Sequence, residues 1–180
     1  MNAKSAPSAP PVLGLHHTAY RCRDAEETRR FYEDILGLPL VHVVKESHVP
    51  STGENTPFAH LFFQLADGSC IAFFDLGDDI AAEPSPNTPA WVQHIAFRVP
   101  SVDALAAMKS RLEANGIKVI GVTDHGFVNS IYFFDPNGVR LEFTTPTVDD
   151  EKLDEYAREA HVALKSWNED KAAKRAKAHA

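Results

Sequence analysis

The sequence predicts an α+β fold made of two β-α-β-β-β modules followed by a C-terminal helix. The first observation behind this prediction is a repeated text, "HTAYR" from His17 and "HIAFR" from His94. The second is that one helical segment and three strand segments follow each copy in the same order. Because self-similarity on this scale indicates a duplicated structural unit, the repeat sets the predicted architecture.

The first module is predicted over residues 13–78. After the strand "HHTAYRC" comes the helical segment "AEETRRFYEDILGL", for which Asp24 is the expected N-cap, with Glu27 three residues later. Gly37 follows the apolar face of this helix and is expected to end it. Three further strands are predicted at "PLVHVV", "FAHLFFQL" and "SCIAFFDL", and an Asp-Gly turn joins the last two.

The second module is predicted over residues 91–146, after a proline-containing linker at 79–90. Its first strand is "WVQHIAFRV", and Ser101 is the expected cap of the helix "VDALAAMKSRLEANG". The strands "IKVIGVT", "NSIYFFD" and "VRLEFTT" follow, the last two around a Pro-Asn-Gly turn. The order of elements is therefore the same as in the first module.

A helical tail is predicted over residues 147–180. Apolar side chains recur along one side of it, at Leu153, Tyr156, Ala160, Leu164 and Trp167. We expect this stripe to pack against the modules or against a second subunit.

Composition excludes several classes of protein. The net charge of −7 argues against a nucleic-acid surface, which needs a concentrated basic face. No apolar run approaches the length of a membrane span, and residues 1–12 have no signal-peptide core, so we expect a disordered leader and a cytoplasmic protein. Cys22 and Cys70 are too few for a disulfide framework.

Aligning the turn glycines of the two hairpins identifies candidate metal ligands. Glu142 of the second module then corresponds to Ala72 of the first, and His17 corresponds to His94, whereas His16 matches a glutamine. If both modules carried a metal ligand at each of these two equivalent positions, the pair would offer two histidines and two carboxylates. This sequence offers His17, His94 and Glu142 instead.

Two imidazoles and one carboxylate leave several positions on a metal open for substrate, water or dioxygen. This set is typical of non-haem Fe(II) oxygenases, whereas a fourth protein ligand suits a metal that acts only as a Lewis acid. The residues also leave open a purely structural ion pair of Glu142 with Arg21 or Arg98, because a buried carboxylate needs a partner. We expect Arg140 to point to the face of its strand opposite Glu142.

Three segments, "HHTAYRCRDAEETRRFYEDILGL", "VQHIAFRV" and "IYFFDPNGVRLEF", resemble the vicinal oxygen chelate superfamily. It includes glyoxalase I, extradiol ring-cleaving dioxygenases, methylmalonyl-CoA epimerase, fosfomycin-modifying enzymes and bleomycin-binding proteins. The resemblance covers roughly Leu13 to Thr145. It implies that the modules curl into a mixed-sheet cup around a divalent metal, with ligands at His17, His94 and Glu142 and with Fe(II) as the first expectation, Mn(II) or Zn(II) as alternatives.

The resemblance also implies a function. Glyoxalase I and the epimerase have a further Glu or Gln ligand near the place of Ala72, so its absence favours an extradiol-dioxygenase-like oxidoreductase acting on a catechol-like or other vicinal-oxygen substrate with dioxygen. Tyr132 and His125 lie where related extradiol enzymes keep an active-site tyrosine and histidine. His60 is a further candidate for proton transfer if it faces the cup. The expected substrate-binding residues are Phe62, Phe73 and Asp75.

Two other functions stay open from the sequence. One is a lyase, isomerase or transferase of the glyoxalase or fosfomycin-resistance type, in which the metal acts only as a Lewis acid. The other is a non-catalytic small-molecule-binding protein of the bleomycin-resistance type. The cup would close within one chain or by exchange of modules between subunits, and we expect a homodimer.

Overall fold

The computed structural model of the protein describes residues 10–178. Most of the predicted leader, residues 1–9, therefore lies outside the described residues, and residues 10–16 have no regular secondary structure.

Each module forms one four-stranded sheet. The strands of the first module are β1 (His17–Cys22), β2 (Leu40–Glu46), β3 (Phe58–Gln64) and β4 (Cys70–Asp75). Those of the second are β5 (Ile95–Arg98), β6 (Ile120–Asp124), β7 (Val128–Phe134) and β8 (Arg140–Pro146). The sheet orders are β1-β4-β3-β2 and β5-β8-β7-β6, with the β1–β4 and β5–β8 pairs parallel and the others antiparallel. The two mixed sheets confirm the predicted α+β fold.

The module helices begin where the sequence predicts. Helix α1 (Ala25–Arg29) is capped by Asp24, whose carboxylate accepts a hydrogen bond of 2.6 Å from the backbone N–H of Glu27. It continues as a π-helical segment (Arg30–Ile35), a widening that the sequence did not indicate. Helix α2 (Val102–Ala114) is capped by Ser101, which accepts a hydrogen bond of 3.1 Å.

The start of β5 differs from the prediction. The strand begins at Ile95, and the preceding residues, Trp91 to Gln93, form a turn. His94 therefore lies at the junction between this turn and β5, where its backbone is not fixed by sheet pairing on both sides.

The two sheets share one hydrophobic core. Alternate residues of each strand point to an inner face that packs with α1, α2 and the π-helical segment. Its members include Phe31, Tyr32, Phe63 and Phe73 from the first module and Phe97, Ile131, Phe133 and Phe143 from the second. The remaining face of each sheet lies outside this core.

A buried polar network joins the modules inside the core. The hydroxyl of Tyr32 donates a hydrogen bond of 3.0 Å to Asp135, in the turn between β7 and β8. Asn137 of the same turn donates to the Thr28 hydroxyl (3.2 Å) and accepts from the backbone N–H of Arg23 (3.1 Å). Burial raises the pKa of Asp135, and its hydrogen-bond donors offset part of that cost. The network fixes how the first module sits on the second.

Helix α3 (Asp150–Ala178) forms the predicted C-terminal helix. Near the start of this helix the rings of Tyr156 and Phe127 are in contact, with 6.3 Å between their centroids. Farther along the helix, Leu164 and Trp167 are 56% and 61% exposed. The expected apolar stripe is thus only partly covered by its own chain. None of the helices within residues 10–178 combines the length and the apolar character that crossing a membrane requires.

A candidate metal centre

His94 and Glu142 meet on the outer face of the second sheet. Glu142 pairs with Ala96 across β5 and β8, which brings its carboxylate next to the imidazole that precedes β5. The distance between His94 Nε2 and Glu142 Oε2 is 2.9 Å, and Glu142 is only 6% exposed. Two atoms that each bind one ion at about 2.1 Å and at right angles lie about 3 Å apart, so this spacing fits a shared metal.

Hydrogen bonds to the far atoms of both side chains, His94 Nδ1 and Glu142 Oε1, fix their orientation. His94 Nδ1 lies 3.1 Å from the carbonyl oxygen of Val92, and a proton donated there leaves the Nε2 lone pair toward Glu142. The hydroxyl of Ser130, which is fully buried, donates to Glu142 Oε1 and leaves Oε2 toward His94. Such outer hydrogen bonds fix ligand geometry in metal sites. The donor set and its support therefore fit a divalent metal.

The sequence did not identify Ser130 as part of this site. Its only signal is a small polar residue in the otherwise apolar strand "SIYFF", two positions before Tyr132. Gly121 of β6 approaches it so closely that a Cβ there would lie 2.7 Å from the Ser130 carbonyl oxygen. Glycine is therefore needed at this point of β6 to keep Ser130 in place.

His17 lies on the other sheet. Its ring meets those of His60 (5.9 Å between centroids) and Phe62 (5.4 Å), and its Nδ1 lies 2.7 Å from Nδ1 of His16. Within residues 10–178, no three His, Cys, Asp or Glu side chains lie close enough to hold a metal ion. One chain thus brings His94 and Glu142 together and leaves His17 apart from them.

The register supports the alignment of the two modules. Ala72 pairs with Ala19 across β1 and β4, as Glu142 pairs with Ala96 across β5 and β8. Ala72 and Glu142 thus hold equivalent places, and the first sheet has no carboxylate there.

Tyr132 stands beside the His94 and Glu142 pair. It is opposite Glu142 across β7 and β8, its ring meets that of His94 edge-on at 5.9 Å, and its hydroxyl is 2.7 Å from His125 Nε2. Burial and the nearby charge of Glu142 raise the pKa of Tyr132, so the phenol stays protonated at neutral pH. A tyrosine hydroxyl linked to an imidazole is suited to moving a proton.

His60 faces the same side of the first sheet as His17. Its ring stacks on that of Phe74, with 3.7 Å between the ring centroids, and its centroid lies 4.2 Å from that of Phe62. Its Nε2 is buried without a hydrogen-bond partner. Burial, and then the positive charges of His17 and His42, lower the pKa of His60 to about 4. It is therefore neutral at physiological pH and lies with His17, away from Tyr132.

The three expected substrate-binding residues lie in different environments. Phe62 is on the His17 side of the first sheet, next to His60. Phe73 is fully buried against Tyr32 on the inner face, so its prediction as a substrate contact was wrong. The carboxylate of Asp75 accepts backbone N–H groups at the start of α1 and in the turn after β4 (2.8 Å each), and its contact with substrate stays a prediction.

The sequence left open an ion pair of Glu142 with Arg21 or Arg98, and its prediction that Arg140 points to the opposite face was wrong. Arg21 forms an ion pair with Asp78 and does not neutralise Glu142. Arg140 shares a face with Glu142, because residues two apart in a strand point the same way, and its guanidinium lies 4.5 Å from the centroid of the Tyr132 ring.

Comparison with known proteins identifies one family for most of the chain. Residues 14–143 match the family model described as Glyoxalase/Bleomycin resistance protein/Dioxygenase superfamily. The chain is 28% identical over 136 residues to the Bacillus subtilis (strain 168) protein named "Putative ring-cleaving dioxygenase MhqA", covering 74% of this chain but only 40% of that relative's length. It is 27% identical over 156 residues to "Metallothiol transferase FosB" of Lysinibacillus sphaericus (strain C3-41), covering 82% of this chain and 92% of the relative.

The fold has close counterparts among solved structures. A glyoxalase/dioxygenase from Nostoc punctiforme superimposes with a TM-score of 0.56 at 22% identity, covering 82% of this chain and 99% of that one. At this identity the likeness concerns the fold alone.

The environment of His60 predicts how stability depends on pH in the metal-free protein. Because the folded protein binds this proton less readily than the unfolded chain, the free energy of unfolding should fall as the pH decreases from 6.5 to about 4. In His60→Gln this part of the decrease should disappear. Urea denaturation across that pH range, with a chelator present, measures it.

The matched control is His161→Gln, an exposed histidine of α3. It should keep the pH dependence of the unmodified protein. The same pH dependence in His60→Gln as in the control would contradict the expectation.

Proposed function

This chain belongs to the Glyoxalase/Bleomycin resistance protein/Dioxygenase superfamily, and we propose that it is a metal-dependent enzyme related to extradiol dioxygenases. Its substrate would be a catechol-like or other molecule with two neighbouring oxygens, and its metal Fe(II). The observation that carries the proposal is the His94 and Glu142 pair, 2.9 Å apart and oriented by Val92 and Ser130.

We further propose that His17 of a second copy of the chain completes the ligand set. His17 lies on a sheet face that the shared core leaves uncovered, together with His60 and Phe62. If the outer face of one chain's first sheet covers the outer face of another chain's second sheet, His17 meets His94 and Glu142. A twofold dimer of this kind has two equivalent sites.

The ligand set leaves room for substrate chemistry. A metal held by two histidines and one carboxylate supplies Lewis acidity and, as Fe(II), reactivity toward dioxygen. The carboxylate of Glu142 is held toward the site because Ser130 donates a hydrogen bond to its other oxygen.

Tyr132 and His125 would handle protons. The hydroxyl of Tyr132 would donate a hydrogen bond to a substrate oxygen, and His125 Nε2, 2.7 Å from that hydroxyl, would then supply or take up a proton. His60, neutral and with a free buried Nε2, would reach the same site from the second copy. Phe62 beside it would form part of an apolar wall for a flat substrate.

A second candidate is a transferase or lyase whose metal acts only as a Lewis acid, with Mn(II) or Zn(II) in place of Fe(II). It is favoured by the relative named a metallothiol transferase, because the chain spans 92% of its length. The dioxygenase relative is spanned over only 40% of its length.

Oxygen consumption tests the main proposal. Protein loaded with Fe(II) under anaerobic conditions should take up dioxygen when given at least one member of a catechol panel. Glu142→Gln should abolish uptake and metal retention, because an amide does not replace the charged ligand. No uptake with any catechol by fully loaded protein would refute the dioxygenase proposal, and turnover under nitrogen with Mn(II) or Zn(II) would establish the second candidate.

Ser130 gives a prediction for metal affinity itself. Ser130→Ala removes the donor that holds Glu142 Oε1, so the dissociation constant for Mn(II) should rise about 10- to 100-fold. Isothermal titration measures it. Ser110→Ala, in the exposed part of α2, is the matched control and should bind Mn(II) as the unmodified protein does. Unchanged affinity in Ser130→Ala would show that this hydrogen bond does not support the metal.

A further inference from the structure

A cavity of about 480 Å³ opens beside His94. It lies between the linker, the turn before β5 and the hairpin of β7 and β8. Its lining includes Tyr20, Glu83, Val92 and Arg140 together with His94. The cavity therefore adjoins the candidate metal ligand on the side where the linker passes, and it carries both a guanidinium and a carboxylate.

Arg140 has an unused hydrogen-bonding capacity in this cavity. Its Nε is buried and has no hydrogen-bond partner, and across residues 10–178 its guanidinium forms no ion pair. The guanidinium instead lies against the Tyr132 ring, 4.5 Å from its centroid. A charged guanidinium without an acidic partner gains a charge-assisted interaction when an anion binds.

We propose that Arg140 binds a carboxylate group of the substrate and thereby selects anionic over neutral substrates. The inference rests on the proposed function, because it assumes that the substrate occupies the site beside His94 and Glu142. Arg140 precedes Glu142 by two residues in β8 and shares its face, so a molecule held at the ligand pair lies within reach of the guanidinium. Its planar fork matches a carboxylate in two hydrogen bonds.

The cavity favours a singly charged group. Glu83 lines the same space, and its negative charge opposes a doubly charged phosphate more strongly than a carboxylate. The Tyr132 ring under the guanidinium restricts its position, which supports one orientation of the bound acid. The substrate class is therefore an aromatic or similarly flat acid whose carboxylate lies away from its two metal-binding oxygens.

Binding of two isosteric ligand pairs tests the inference. With Mn(II)-loaded protein, 3,4-dihydroxybenzoate should bind about tenfold more tightly than 3,4-dihydroxybenzamide, since one charge-assisted interaction is worth roughly that factor. Arg140→Gln should remove this preference and leave binding of the amide unchanged. Arg158→Gln, an exposed arginine of α3, removes the same charge elsewhere and should keep the preference. Isothermal titration gives each dissociation constant.

Arg140→Lys is a second variant that controls for a folding defect. It keeps the positive charge but lacks the planar guanidinium that donates two parallel hydrogen bonds. It should show a reduced preference, between those of the unmodified protein and Arg140→Gln. An equal preference for the acid in Arg140→Gln and in the unmodified protein would overturn the inference.

A second ligand pair, benzoate and benzamide, separates this inference from the proposed function because neither molecule has two neighbouring oxygens on its ring. If the metal experiments fail while metal-free protein prefers benzoate and loses that preference in Arg140→Gln, the anion site stands without the dioxygenase. If the unmodified protein prefers neither acid over its amide, the anion site is refuted whatever the metal experiments give.

Discussion

The packing of both sheets onto one core is the constraint on which the rest of the structure depends. The inner faces of the two sheets meet around Phe31, Phe73 and Phe133, and the hydrogen bond from Tyr32 to Asp135 fixes one module on the other. Because the core covers these inner faces, the candidate metal ligands lie on the opposite faces. One of them holds His17 and the other holds His94 and Glu142, which is why a single chain leaves the ligand set divided.

The second sheet prepares its half of the site without any partner. Ser130 and the Val92 carbonyl orient Glu142 and His94, and Tyr132 lies beside both. The hydrogen bond from Ser130 offsets part of the cost of burying Glu142 and leaves its other oxygen toward His94, an arrangement suited to a cation. The first sheet, in contrast, offers aromatic rings and neutral His60 around His17. The proposed dimer joins a prepared ligand pair to an apolar wall.

Sequence patterns predicted the fold and the equivalence of the modules, because strand alternation, caps and turn residues are local properties. The pairing of Glu142 with Ala96 follows from that local register. The prediction of Phe73 as a substrate contact was wrong, since which face of β4 is buried depends on tertiary packing. The separation of His17 from its expected partners depends on how whole modules dock. No local pattern encodes that.

The central claim is that each metal site takes residues from two chains, and a hybrid dimer tests it most directly. His17→Ala and Glu142→Gln chains carrying different tags are co-expressed, and the dimer containing one of each is purified through both tags. The account predicts about one metal ion per hybrid dimer and almost none in either single-variant dimer, because only the hybrid reunites an intact His17 with an intact Glu142. A hybrid as empty of metal as the two parents would contradict it.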